Sequence, residues 1–276
     1  MKVESYVFEF TLQEMEMLSH VFNIPFRENA RLEHVISSVK KDVRLWTFWK
    51  CANVMAIDRM GYTDHGPNHI KIVANSALKI LRILIENKVV PSVVKNYGMK
   101  NEDAKVIVVL GSIFHDLGMI VTRDGHEQIS AFLSVDFIEK HLQQIYTEEE
   151  NAILTSEVMH AVISHERLKK PLTVEAGVVS VADALDMEEG RARIPSEAGK
   201  VDIHSVSALS IQRVEILEGT EKPVMIKISM SSSAGFFQID QLLKPRIENS
   251  GLQNYIRVLA EVTDEKEGKI LEKFEI

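Results

Sequence analysis

A mostly helical protein ending in a small α+β unit is what this sequence predicts. Three observations carry the prediction. Apolar residues recur at steps of three and four as far as Asp186, which is helical spacing. The character changes near Ile194–Gly199, where Pro195 and Gly199 mark a linker. Beyond it come β-branched runs, Ser210–Leu217 and Val224–Ser231. The expected organisation is a helical unit over 1–198 and a small α+β unit over 199–276.

The elements follow in order. Leu12, Met15, Leu18 and Phe22 keep helical spacing until Pro25 interrupts. Ala30–Met60 reads as one or two helices, and Gly61, Asp64, Gly66 and Pro67 make a break. Asn68–Lys88 is amphipathic, with Ile72, Val73, Ala77, Ile80, Leu81 and Leu84 as its stripe. Asp103–Leu117 is helical and stops at Gly118. Glu127–Leu142 follows Asp124-Gly125, and Glu148–Ser164 starts on three acids that suit the positive end of the helix dipole. Val174–Asp186 is the last helix before the linker. In the C-terminal unit, Phe236–Lys244 is helical until Pro245, and Tyr255–Val262 is a strand.

Composition narrows the class. A chain of 276 residues can bury a core without disulfides, and Cys51 is its one cysteine. That suits a reducing cytoplasm. The net charge of −8 argues against broad binding to nucleic acid, which needs a basic face. The start, MKVESYVFEF, lacks a signal-type apolar core, and no run approaches the roughly 18 apolar residues of a membrane span.

Ten histidines are present, and several gather beside apolar helical pattern: His65 and His69, His115, His126, then His160 and His165. Ile113-Phe114 precede His115-Asp116, and Val181-Ala182 precede Asp183. A carboxylate on a core-facing position is costly unless paired or bound to a metal. Such groups on successive helices converge when the helices form a bundle. Mixed imidazole and carboxylate donors suit transition-metal, Mn or Mg ions better than calcium. Neighbours on a helix point about 100° apart, so His115 and Asp116 share one ion only near a helix end. Asp116 between two ions would bridge them.

The order His69 within Asn68-His69-Ile70, then Phe114-His115-Asp116-Leu117-Gly118, then Ala182-Asp183-Ala184-Leu185-Asp186 resembles the HD-domain superfamily of metal-dependent phosphohydrolases over about residues 65–190. The resemblance implies that His69, His115, Asp116 and Asp183 bind a first ion. His126 and His165 fall where members with two ions place two further ligands, with His160 the substitute for His165 if the register differs. One or two divalent ions are implied, and Mn, Fe, Mg, Ni, Co and Zn are not distinguished. The sequence departs from the family at Met119, where many members carry a lysine that touches the reacting phosphate.

The implied reaction is hydrolysis of a phosphate ester, of a nucleotide or a related small phosphomonoester. Metal ions lower the pKa of water and stabilise attacking and leaving oxygens. Asp116, His65 and Arg123 are the candidates for the chemistry. His65, Lys71, Arg123, Arg191 and Arg193 are the candidates for phosphate contact, arginine being suited to bidentate binding. Lys71 reads first as a solvated helix residue, and Arg123 and Arg191 are equally surface ion pairs. Asp186 is expected to orient a ligand histidine rather than to bind the ion. His20, His34, His141 and His204 have no supporting neighbours and are expected at the surface.

Ser231–Gly235 before the Phe236 helix is either an anion-holding turn or, more commonly, a plain serine turn. The strands Ile211–Leu217 and Met225–Met230 leave an edge that pairing across a dimer axis would cover. A homo-oligomer, and an oligomerisation or regulatory role for this unit, is therefore expected. The rival functions are a phosphodiesterase on a cyclic nucleotide or RNA, and a non-catalytic sensor of a phosphorylated ligand. No membrane partner is expected, and the acidic charge disfavours long nucleic acid.

Overall fold

The computed structural model describes residues 22–188, 207–263 and 273–275. The expected helix around Leu12–Leu18, the linker at Ile194–Gly199, Arg191, Arg193, His20 and His204 lie outside the described residues. The architecture is mostly helical, with a small sheet after the helices.

The region Ala30–Met60 divides at an aspartate. Helix α1 spans Ala30–Lys40 and is capped by Asn29, whose side chain accepts from the Leu32 amide. Helix α2 spans Val43–Asn53 and is capped by Asp42 through the Leu45 amide. Such caps satisfy amides that have no partner inside the helix. Helix α2 runs on as a wider π turn, Val54–Arg59. Helix α3, Pro67–Glu86, begins on proline, whose missing N–H costs nothing at a first helical position. Helix α4, Ser92–Tyr97, is short, and the Glu175 carboxylate accepts from the Ser92 and Val93 amides at its start.

Helix α5, Asn101–Phe114, is the centre of the bundle. Every residue from Val106 to Phe114 is buried. Around it pack α3, α1 and two further helices, α7 (Glu148–Ile163) and α8 (Val174–Ala184). A helix apolar on all sides must be enclosed in this way. Helix α5 ends at Phe114, earlier than the expected Leu117, and a 3₁₀ turn follows at Leu117–Ile120. His115 and Asp116 therefore occupy the junction between two helical geometries. Helix α6, His126–Leu142, then packs on the 3₁₀ turn and on α7.

His141 is not at the surface. It is 1% exposed in the last turn of α6, its Nδ1 is 2.7 Å from Ser38 Oγ, and its Nε2 is 3.4 Å from Asp42 Oδ2. Its helix packs against α1, so the polar ring is taken inside, where Ser38 meets Nδ1 and, among the described residues, Nε2 makes no hydrogen bond beside the Asp42 carboxylate. His34 is half-buried. Burial pushes the His141 imidazole down to about 4, although Asp42 pulls the other way. The unfolded chain takes up this proton near pH 6.5, so it binds more protons than the native state between 6.5 and 4. Acidification through that window is expected to remove about 3 kcal/mol of stability from this group. Denaturant titrations across the window should give a shallower pH dependence for His141→Asn than for the natural chain.

In the C-terminal region β1 (Ile211–Glu218) pairs antiparallel with β2 (Val224–Met230). Strand β2 pairs parallel with β3 (Ile256–Val262), and β4 (Lys273–Glu275) adds antiparallel to β3. The sheet order is β1-β2-β3-β4, so β2 is paired on both sides and offers no edge. Between β2 and β3 the chain forms α9 (Gly235–Gln238), a π turn (Ile239–Leu243) and α10 (Lys244–Asn249). Pro245 does not end the helical stretch. It sits in the first turn of α10, where a missing amide is tolerated after the wider π turn. The serine turn is engaged internally: Ser210 and Ser232 Oγ are 3.0 Å apart, and Ser231 N donates to the Ser210 carbonyl. Helix α10 packs on α8, and β1 and β2 pack against α3. One apolar core runs from Phe22 to Ala260 through both regions.

Candidate metal centre

The ends of five helices meet at one buried point. His69 lies in the first turn of α3, and His115 and Asp116 lie just past α5. His126 opens α6, His165 follows α7, and Asp183 lies near the end of α8. All are buried except Asp183, which is partly so.

Two groups of donors form. His69, His115 and Asp183 are one, and Asp116, His126 and His165 the other; within each, the ligand atoms lie within 4.8 Å of one another. Asp116 divides its oxygens between them. Its Oδ2 is 3.3 Å from His69 Nε2 and 3.1 Å from His115 Nε2. Its Oδ1 is 3.1 Å from His126 Nε2 and 3.7 Å from His165 Nε2. Asp183 Oδ1 completes the first group, 3.3 Å from His69 Nε2 and 3.7 Å from His115 Nε2.

The opposite ring nitrogens settle which proton each histidine carries. Nδ1 of His115 faces the Ser112 carbonyl at 2.8 Å, that of His126 the Arg123 carbonyl at 2.8 Å, and that of His165 the Val162 carbonyl at 2.5 Å. His69 Nδ1 faces Asp186 Oδ2 at 2.5 Å. A carbonyl or carboxylate only accepts, so each Nδ1 donates, and each ring, when neutral, turns a lone pair on Nε2 inward. His69 and His115 Nε2 are 3.0 Å apart, and His126 and His165 Nε2 are 3.3 Å apart. Lone pairs held that close, beside carboxylate oxygens, need a positive charge among them. The donor set therefore fits a metal ion, and the site offers room for a shared carboxylate between two.

Electrostatics agree. Burial opposes charge on Asp116, but His115 and His65, with hydrogen bonds from His115 and His126, hold it well below the usual carboxylate range. Burial likewise opposes charge on Asp183, and Arg246, then His69 and His115, outweigh it and hold it well below that range. Burial, with His115 adding, pushes His165 down to about 3, which keeps its ring neutral and able to ligate. Burial lowers His126, yet its bond to Asp116 and the charge there raise it overall.

The other expected residues separate. His65 is buried, its Nδ1 donates to the Thr63 carbonyl at 2.7 Å, and its Nε2 is 4.0 Å from Asp116 Oδ2. Arg123 is exposed at the rim, with Nη1 3.3 Å from His126 Nε2. His160 is elsewhere: its Nε2 accepts from the Leu172 amide at 3.0 Å, so His165 rather than His160 joins the cluster. Lys71 is half-buried, and among the described residues no side-chain bond joins it to the cluster. Asp186 lies beyond the end of α8 yet reaches His69 as expected. Met119 is fully buried in a small cluster with Ala52 and Ala56 and supplies no charge. The residue missed by sequence reasoning is Arg246 in α10, whose Nη1 is 2.9 Å from Asp183 Oδ2. No local motif surrounds it.

Asp186 gives a direct expectation. Asp186→Asn removes the charge that fixes the His69 tautomer, and apparent metal affinity should fall by roughly 10–100-fold. A metal titration that matches the natural protein would show that His69 needs no such support.

Helical architecture and two buried His/Asp groups placed to hold a metal define a helical metal-binding protein. The HD domain model matches residues 68–188, and the chain belongs to the HD-domain superfamily. An uncharacterized protein of Methanocaldococcus jannaschii is 48% identical over 226 residues, covering 82% of this chain and 87% of that protein. Among the described residues no helix is long and apolar enough to cross a membrane.

Proposed function

We propose that this protein hydrolyses a phosphate ester of a nucleotide or a related small phosphomonoester, with divalent metal ions as cofactor. The observation that carries the reading is the pair of inward lone-pair clusters joined by Asp116. His69, His115, Asp116 and Asp183 would hold one ion, and Asp116, His126 and His165 a second. Bound ions supply Lewis acidity and lower the pKa of water towards neutrality. His65, whose Nε2 is 4.0 Å from Asp116 Oδ2, would hold or deliver a proton to a leaving oxygen. Arg123 at the rim offers its guanidinium to phosphoryl oxygens. Arg191 and Arg193 remain candidates for the same task, following Asp183 closely in the chain.

The chain divides, on this reading, into a catalytic unit over 1–198 and a C-terminal unit over 199–276 that supports oligomerisation or regulation. The lone cysteine and the acidic charge favour a cytoplasmic protein acting on small molecules. One observation favours a second reading. Apolar burial of Met119 leaves the lysine position of many relatives without a cation, which suits a sensor that binds a phosphorylated ligand without turnover.

Elemental analysis of the purified protein followed by phosphate release from a nucleotide panel tests the proposal. Turnover of an aryl phosphate with added Mn supports the hydrolase. Metal and ligand binding without turnover moves the assignment to the sensor. Activity on a bis-aryl phosphate but not on the monoester moves it to a phosphodiesterase.

A further inference from the structure

Arg246 belongs to the C-terminal region, yet its head group lies at the metal centre. Its side chain is 15% exposed. Nη1 is 2.9 Å from Asp183 Oδ2, 2.8 Å from the His165 carbonyl and 3.2 Å from the Ser180 carbonyl. These acceptors come from two different segments, the turn after α7 and helix α8. Asp183 is thereby split. Its Oδ1 faces His69 and His115, and its Oδ2 faces the guanidinium. The guanidinium, held by the two carbonyls, fixes a positive charge beside Oδ2, and a carboxylate paired there cannot swing its other oxygen out of the cluster without leaving that ion pair.

We infer that Arg246 is a positioning residue of the metal centre: it turns Asp183 Oδ1 inward and, through the His165 carbonyl, holds the segment that carries a donor of the other cluster. The C-terminal region thus contributes to a centre whose donors all lie in the helical region. This assignment rests on the metal-binding reading above. The backbone around Arg246 is suited to the task. Pro245 fixes the first turn of α10, and that helix packs on α8, the helix that carries Asp183. Gly177 on α8 admits the Ser250 carbonyl, since a Cβ there would lie 2.4 Å from that oxygen. The close approach brings α10 within arginine reach of Asp183.

A simple buried ion pair would stabilise the fold little and leave metal affinity alone. A partner of a ligating carboxylate changes metal affinity by roughly 10–100-fold when removed. Cobalt titration by visible absorption, with calorimetry for stoichiometry, separates the two on the natural chain, Arg246→Gln and Arg246→Lys. Arg246→Gln is expected to lose affinity on that 10–100-fold scale, with unchanged helicity. Arg246→Lys, whose ammonium has three donors, is expected to recover most of the loss. If the natural chain binds no cobalt, the metal reading itself fails. If it binds cobalt and Arg246→Gln binds it equally well, the positioning role is overturned. Equal loss in both variants, or loss of the fold in both, would also overturn it, since the residue would then serve folding rather than the carboxylate.

Discussion

Asp116→Ala is expected to empty both halves of the metal centre at once and to lower turnover by more than about 10³-fold. Removing one preorganised electrostatic group costs roughly 10²–10³ in rate, and Asp116 serves two clusters. Its two oxygens lie 3.1–3.3 Å from His69, His115 and His126 Nε2. Alanine leaves those lone pairs facing one another with one negative charge fewer, which removes the attraction for a cation from both sides. His115→Ala is expected to give a similar loss, because that ring is 0% exposed and contacts both Asp116 and Asp183. His126→Ala should spare the first cluster. Helicity should survive in each case, since Asp116 lies between α5 and the 3₁₀ turn rather than inside a helix. Elemental analysis and circular dichroism together check this. Full metal content in Asp116→Ala would sink the shared-carboxylate arrangement.

Gly118→Ala should be the most damaging small substitution near the site. A Cβ at this position would lie 2.2 Å from the His126 carbonyl oxygen and 2.8 Å from the Ser130 amide. Both are backbone atoms in the first turn of α6, so no flexible side chain can yield. The Gly118 amide also donates to Ser130 Oγ at 2.7 Å. Either the 3₁₀ turn or α6 must retreat, and His126 moves relative to Asp116. Overpacking of this kind costs about 1–3 kcal/mol, and backbone clashes belong at the upper end. Ser130→Ala removes the hydrogen bond alone and should cost about 1 kcal/mol. Chemical unfolding compares the two, and a metal titration should show the His126–His165 side weakened first. Natural stability together with natural metal content in Gly118→Ala would mean that the turn and α6 are not tightly seated.

Several features were legible in the chain before any fold was known. Apolar spacing located α3, α5, α6, α7 and α8 within a few residues, because an amphipathic stripe is a local property. His69, His115, Asp116, His126, His165 and Asp183 were legible as an ordered set, and the structure brings all of them together. The misreadings share one cause. Pro245 alone looks like a stop, but a π turn before it lets the helical stretch continue. His141 alone looks solvated, but α1 packs over α6 and supplies Ser38, with Asp42 at the start of α2 beside the ring.

By itself the sequence determined the helical architecture, the change to β structure from Ile211 and the identity of the donors clustered at the centre, because periodicity and residue chemistry are written locally. Only the tertiary structure decided how Asp116 shares its oxygens, which nitrogen each imidazole turns inward, that His165 rather than His160 joins the cluster, and that Arg246 reaches Asp183. Those outcomes depend on distances between residues far apart in the chain, and such distances exist only once the helices have packed.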